Sequence, residues 1–158
     1  MAVAEILSAD RVSVSSPTEG LIRGKREALE RLSAMLASGQ QTVCVERILD
    51  VLVEREKLQS TGVGDGVAVP HGSIDDLERQ IGALLVCPQP IPFDAIDGQP
   101  VSILFALVGP KGAPAQHLKV LARVSKILRQ DSIRKKLAGA RAGREAYELI
   151  VDCEGGGA

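Results

Sequence analysis

Aromatic residues are nearly missing from this chain: 158 residues contain no tryptophan, one tyrosine and two phenylalanines. That shortage excludes a base-stacking nucleic-acid platform and an aromatic sugar-binding wall. Net charge is missing too, since 19 basic residues face 20 acidic ones and leave −1. Nothing general therefore draws the chain to nucleic acid or to an anionic membrane. Cys44, Cys87 and Cys153 are odd in number and form no CxxC pair. They read as reduced thiols, not as a disulfide framework or a zinc site. No apolar run reaches the roughly 18 residues of a membrane span. The start, Met1-Ala2-Val3-Ala4-Glu5, lacks the basic and apolar regions of a signal peptide. Together these absences predict a cytoplasmic protein with no membrane insertion and no nucleic-acid partner. The GxxxxGK-S/T, HExxH and GxSxG patterns are absent as well, which removes the usual nucleotide, zinc-protease and hydrolase readings. With only two histidines, no metal or cofactor is expected.

What remains is an ordinary globular composition, 45% hydrophobic and 25% charged, in a length that suits one domain. Val12-Ser13-Val14 alternates like a brief strand, and Ser15 to Gly20 is loop chemistry. Ala28, Leu29, Leu32, Met35 and Leu36 recur at helical spacing from about Lys25, with Gly39 as terminator. A second helix is predicted over Val45 to Leu58. Ile81 to Val86 and Val101 to Val108 are continuous apolar runs, suited to interior strands covered by helices on both faces. Between them, prolines at 88, 90 and 92 favour an irregular path, and Asp97-Gly98 marks a turn. A third helix opens at Pro114. Short helices are expected near Ser132 to Leu137 and Arg144 to Val151, then a frayed tail over Glu154 to Ala158.

The chain is organised around Ser60-Thr61-Gly62-Val63-Gly64-Asp65-Gly66-Val67-Ala68-Val69-Pro70-His71-Gly72. The glycines predict a tight irregular loop, and Val67 to Val69 a short strand that Pro70 ends. His71 is thus presented where a strand stops. On its own, Pro-His-Gly reads equally as a surface turn. Arg55 follows Ile48 by seven residues, which is about 700° of helical turn and leaves it about 20° from that buried stripe. A charge placed there either snorkels to a salt bridge or serves an anion. Glu54, Glu56 and Lys57 are expected to be solvated. Ser73 to Leu77 reads as a short helical turn. His117 shares the inward face of the third helix with Val120, Leu121, Val124 and Leu128, as a packing histidine or as a site residue. Two histidines and an arginine at such positions suit a phosphoryl group. Neutral imidazole can attack phosphorus, a guanidinium can neutralise phosphoryl oxygens, and a second imidazole can donate a hydrogen bond.

Read as a whole, Ser60 to Gly72 resembles the phosphohistidine segment of the fructose/mannitol-type enzyme IIA domains of the bacterial phosphoenolpyruvate-dependent phosphotransferase system. The resemblance extends through Glu54-Arg55-Glu56-Lys57-Leu58, Pro92 to Val101 and His117-Leu118, and spans about residues 6–152. His71 lies 16 positions after Arg55, and His117 lies 46 after His71, the spacings that family uses. The resemblance implies that His71 is the phosphoacceptor, His117 the supporting histidine and Arg55 the phosphoryl-binding arginine. It implies one α/β domain over 1–158, a mixed β-sheet flanked by helices on both faces. The nitrogen-regulatory branch looks most similar, through Ser60 to Gly64 and Phe93 to Val101. Its members take phosphate from a histidine-phosphocarrier protein and regulate other proteins, including sensor kinases and potassium transporters. Asp65 departs from the asparagine common in that loop and is expected to bring negative charge near the phosphate, and Ser15 to Gly24 matches weakly. A sugar-transport enzyme IIA that passes phosphate to an enzyme IIB domain is the alternative function. A binding module that keeps only the fold is a third.

Overall fold

The computed structural model describes residues 2–156. A short helix α1 (Val3–Ile6) and a 3-10 turn lead into β1 (Val12–Val14). Helices α2 (Lys25–Ala37) and α3 (Val45–Leu58) follow, at the predicted positions. Then come β2 (Gly62–Gly64), β3 (Val67–Ala68), β4 (His71–Ile74) and two long strands, β5 (Ile81–Ile91) and β6 (Val101–Pro110). The chain closes with α4 (Pro114–Leu128), α5 (Asp131–Ala138) and α6 (Gly143–Gly156).

The six strands form one mixed sheet in the order β1-β5-β6-β3-β2, with β4 also paired to β6. Side chains alternate across strands, and both faces of the central strands are apolar, so each face needs helices. Leu84, Val86, Ile103, Phe105 and Leu107 pack with α1, α4, α5 and α6. Ala83, Leu85, Leu104, Ala106 and Val108 pack with α2 and α3. The fold is therefore the expected mixed sheet with helices on both faces. Close approaches are made at glycines: a Cβ at Gly72 would sit 2.2 Å from Val51 of α3, and one at Gly143 would sit 2.1 Å from the Val12 carbonyl oxygen.

Two local expectations need correction. Ser73 and Ile74 are not helical; they extend β4 in parallel pairing with Gly109 and Pro110, and the turn comes only at Asp75 and Asp76. Nor does the chain leave the sheet after Pro70: β3 closes at Ala68 and β4 opens at His71, so His71 begins a strand and does not merely follow the end of one. Val67 faces Ile103, Ala68 faces Leu104, and His71 faces Leu107, so one register runs across Val69 and Pro70. Pro70 has no N–H to give, but its carbonyl still accepts from Leu107 N at 2.9 Å. β3 and β4 share one register across a two-residue interruption.

The C-terminal segment also differs from a frayed tail beginning at Glu154. Helix α6 carries on to Gly156, and the Glu154 carboxylate accepts from the backbone N–H groups of Val3 and Ala4, both at 2.7 Å. The same carboxylate pairs with Arg123 of α4 at 3.1 Å. Residues 157 and 158 of the expected tail lie outside the described residues. Glu154 serves as the side-chain cap that α1 lacks locally. Glu154→Ala should therefore cost about 1–2 kcal/mol. The expected readout is a lower urea midpoint at unchanged slope; an unmoved midpoint would return the tail to a passive role.

Candidate functional site

His71 is placed by the interruption at Pro70. Period-two alternation puts it on the same sheet face as Val67 and Val69, which is the face covered by α4. There it meets His117, four residues into α4, with ring centroids 5.8 Å apart and planes tilted by 50°. His117 is buried, on the inward face that its helical spacing predicts.

The two rings are held by different acceptors. His71 Nδ1 lies 2.7 Å from the Val69 carbonyl oxygen. A carbonyl only accepts, so the Nδ1 proton is on the ring and, in neutral imidazole, Nε2 keeps its lone pair. His117 Nδ1 lies 2.8 Å from Gln80 Oε1. Gln80 is 1% exposed and sits just before β5, where polarity in the sequence gives no hint of burial. Sequence reasoning missed it.

Burial lowers the pKa of both imidazoles. His71 is pulled down first by desolvation and further by the Arg55 charge, against the opposing effects of its Val69 bond and of Glu56. His117 is pulled down by desolvation and then by His71. Both shifts favour the neutral ring at physiological pH. A neutral ring with a bare Nε2 is a competent nucleophile.

Arg55 approaches from α3, across the sheet from α4, near enough for its charge to act on His71. Its Nη1 donates to the Gln59 carbonyl at 2.9 Å, closing the end of its own helix. Among the described residues no carboxylate pairs with it. The guanidinium is held only by a backbone carbonyl.

Glu56 overturns the expectation that it is solvated. It is 7% exposed. Its Oε1 accepts from Thr61 N at 2.8 Å and from the Thr61 hydroxyl, and its Oε2 meets Lys25 Nζ at 2.6 Å. Burial pushes this carboxyl up, but Lys25 and the two Thr61 donors hold it below the usual range. Lys25 Nζ also lies 4.9 Å from the Phe93 ring centroid, a cation–π contact. This knot joins the start of α2, the end of α3 and the root of the glycine hairpin. The neighbouring Arg55 is thereby kept on the site side of the helix.

The hairpin itself is tight, as predicted. Gly64, Asp65 and Gly66 all have positive φ, at 104°, 56° and 74°. Asp65 tolerates this conformation better than most residues. It does not bring charge to the histidines. The tip sits in a small cavity beside Ser125, Leu128 and Arg129, and Ser125 is already about 12 Å along the α4 axis from His117.

Set beside known proteins, residues 7–153 match the family described as "Phosphoenolpyruvate-dependent sugar phosphotransferase system, EIIA 2". A nitrogen regulatory protein of Bradyrhizobium diazoefficiens is 41% identical over 132 residues, covering 82% of this chain and 84% of that protein. The crystal structure of the nitrogen regulatory protein IIA-Ntr from Neisseria meningitidis superposes with a TM-score of 0.81 at 31% identity, over 94% of this chain and 98% of that one. The IIA mannitol structure from Escherichia coli shares the fold, with a TM-score of 0.69 at 21% identity, over 95% and 99% of the two chains. No helix among the described residues is long and apolar enough to cross a membrane. The chain belongs to the type 2 EIIA family of the phosphoenolpyruvate-dependent phosphotransferase system, with similarity to its nitrogen regulatory members.

Proposed function

We propose that this protein is a cytoplasmic phosphohistidine carrier of the nitrogen-regulatory type. It accepts a phosphoryl group from a histidine-phosphocarrier protein on His71 and uses the added charge to control partner proteins of the sensor-kinase or potassium-transporter kind. The observation that carries the reading is the His71 Nδ1 to Val69 carbonyl bond of 2.7 Å. It leaves Nε2 as the attacking atom.

In the proposed step, the Nε2 lone pair closes on phosphorus while the donor's P–N bond breaks and its electron pair returns to the donor imidazole. The Nδ1 proton stays on His71, and the Val69 carbonyl stabilises the partial positive charge that the ring gains. Arg55 leaves the Gln59 carbonyl for the phosphoryl oxygens, where its planar fork matches their geometry. His117 offers a hydrogen bond to a further oxygen. Leu58, Val63, Ile96 and Leu118 are large apolar residues at least half exposed, and Leu58 and Leu118 lie close in sequence to Arg55 and His117. Leu58 and Leu118 supply apolar contact for a protein partner beside Arg55 and His117. The phosphoryl group then adds about −1.5 to −2 charge beside that surface, enough to change which partners bind.

Incubation with phosphoenolpyruvate, enzyme I and the phosphocarrier, followed by intact mass, should show one acid-labile, base-stable phosphoryl group. His71→Ala should take up none while keeping its circular dichroism. Labelling of that variant would remove His71 as acceptor. Efficient onward transfer from the wild type to a sugar-specific enzyme IIB would move the function from regulation to transport.

Arg55→Lys should keep the charge and lose the fork, so phosphorylation at matched donor concentration should slow by about tenfold or more. Equal rates would reduce Arg55 to its helix-capping role.

Acid stability gives an independent check on the two rings. Both folded pKa values lie below the unfolded value of about 6.5. The folded state then binds fewer protons than the unfolded chain, so stability is full above that value and falls as pH drops through it toward the folded values. A His71→Ala/His117→Gln double variant should lose less stability than wild type between about pH 7.5 and about pH 5 in urea titrations. Parallel losses would mean the rings are not buried in neutral form.

A further inference from the structure

We infer that Gln80 is the positioning residue of His117, fixing its proton on Nδ1 so that Nε2 rests bare and takes up one proton when His71 is phosphorylated. The proton uptake rests on the phosphorylation of His71 proposed above; the tautomer does not.

The first support is geometric. Gln80 Oε1 lies 2.8 Å from His117 Nδ1, and the pair is buried. An amide oxygen accepts only, so Nδ1 donates, and a neutral imidazole has one N–H to give. The amide fills the space that a side chain at Gly109 of β6 would take. A Cβ at Gly109 would come within 2.1 Å of Oε1 and 2.3 Å of both Cδ and Nε2. Gln80 Nε2 is buried without a partner. Turning the amide over would put that nitrogen on His117 Nδ1 and demand the opposite tautomer, so the two orientations make opposite predictions.

The second support is electrostatic. A bare Nε2 cannot donate to a phosphoryl oxygen until it binds a proton. His71, with its ring centroid 5.8 Å away, is the titratable group that acts on His117. Arg55 and Glu56 of α3 act on His71 in turn. The elements packed on α4 add little: β6 carries no titratable residue, Asp131 of α5 pairs with Arg134 and Lys135, and Glu154 of α6 pairs with Arg123. Glu5 of α1 and Lys136 of α5 do not shift the ring either. In the resting site only neutral imidazoles face each other. A phosphoryl dianion on His71 Nε2 reverses this balance and favours imidazolium at His117. One solvent proton then bonds to its Nε2, and that new N–H donates to a phosphoryl oxygen. No other bond changes at His117.

The test uses the full-length chain labelled with nitrogen-15. Long-range proton–nitrogen spectra report the tautomer, and His71→Ala assigns the two rings. Resting His117 should carry its proton on Nδ1; Gln80→Leu should abolish that preference, and Gln80→Glu should leave the ring protonated near neutral pH. The phosphorylation equilibrium with a fixed donor, read by intact mass against pH, should fall more steeply in wild type than in Gln80→Glu, by up to about tenfold per pH unit. An Nε2–H tautomer in wild type, an unchanged tautomer in Gln80→Leu, or identical pH slopes would each overturn the inference. Failure of wild type to accept phosphate would instead sink the carrier reading and the proton uptake with it, while the tautomer spectrum still decides what Gln80 does.

Discussion

Because Pro70 has no N–H, the strand that contains it cannot bond continuously to β6, and the site grows out of that gap. The register resumes at His71 as if the strand were whole. Within the gap the Pro70 carbonyl still reaches Leu107 N, and Val69 N turns the other way to the Thr61 carbonyl. The Val69 carbonyl takes the His71 ring instead. A side chain bonded to backbone two residues away has little freedom, so the ring is oriented before any partner arrives. In the proposed phosphoryl transfer, preorganisation of this kind lowers the reorganisation required. The two long apolar strands matter here mainly as a rigid floor under the interrupted one.

The second requirement is that a cation stand close to a neutral imidazole without being locked in an ion pair. The chain achieves this by giving adjacent residues of α3 opposite duties. Glu56 turns inward, neutralises Lys25 and bonds Thr61. Arg55 turns toward the site and rests on a carbonyl. A buried ion pair adds little net stability, because desolvation offsets most of the attraction. What it does here is link three elements at one point: the start of α2, the end of α3 and the root of the hairpin. A carboxylate on Arg55 would have cancelled the charge that a phosphoryl group needs.

The helices and the long strands were legible in the sequence because each rests on a local signal. Apolar periodicity gave α2, α3 and α4, and continuous apolar runs gave β5 and β6; the family resemblance singled out Arg55, His71 and His117, and the structure brings the two imidazoles together with Arg55 near His71. What escaped were residues whose environment is made by distant chain. Glu56 reads as one more charge in Glu-Arg-Glu-Lys, and only the arrival of Lys25 and Thr61 makes its burial tolerable. Gln80 lies in a polar turn, and nothing near it in sequence announces a histidine. Gly72 and Ser73 are weak strand formers followed by a polar turn, and only pairing with β6 draws Ser73 and Ile74 into β4. Glu154 looked like tail because its partners, Val3 and Ala4, stand at the other end of the chain. Asp65 misled in the opposite sense, since closeness to His71 in sequence did not mean closeness in space.

Gly109 has a bearing on how sequences of this kind can diverge. The bare backbone there is the surface on which the Gln80 amide lies, and any larger residue claims the same space. An alanine at 109 would push the Gln80 amide aside and away from His117 Nδ1. Replacement of Gln80 by something shorter, conversely, opens a hollow that a side chain at 109 would fill. Packing at 80 and at 109 is therefore coupled, and a substitution at either position is best tolerated when the other changes with it.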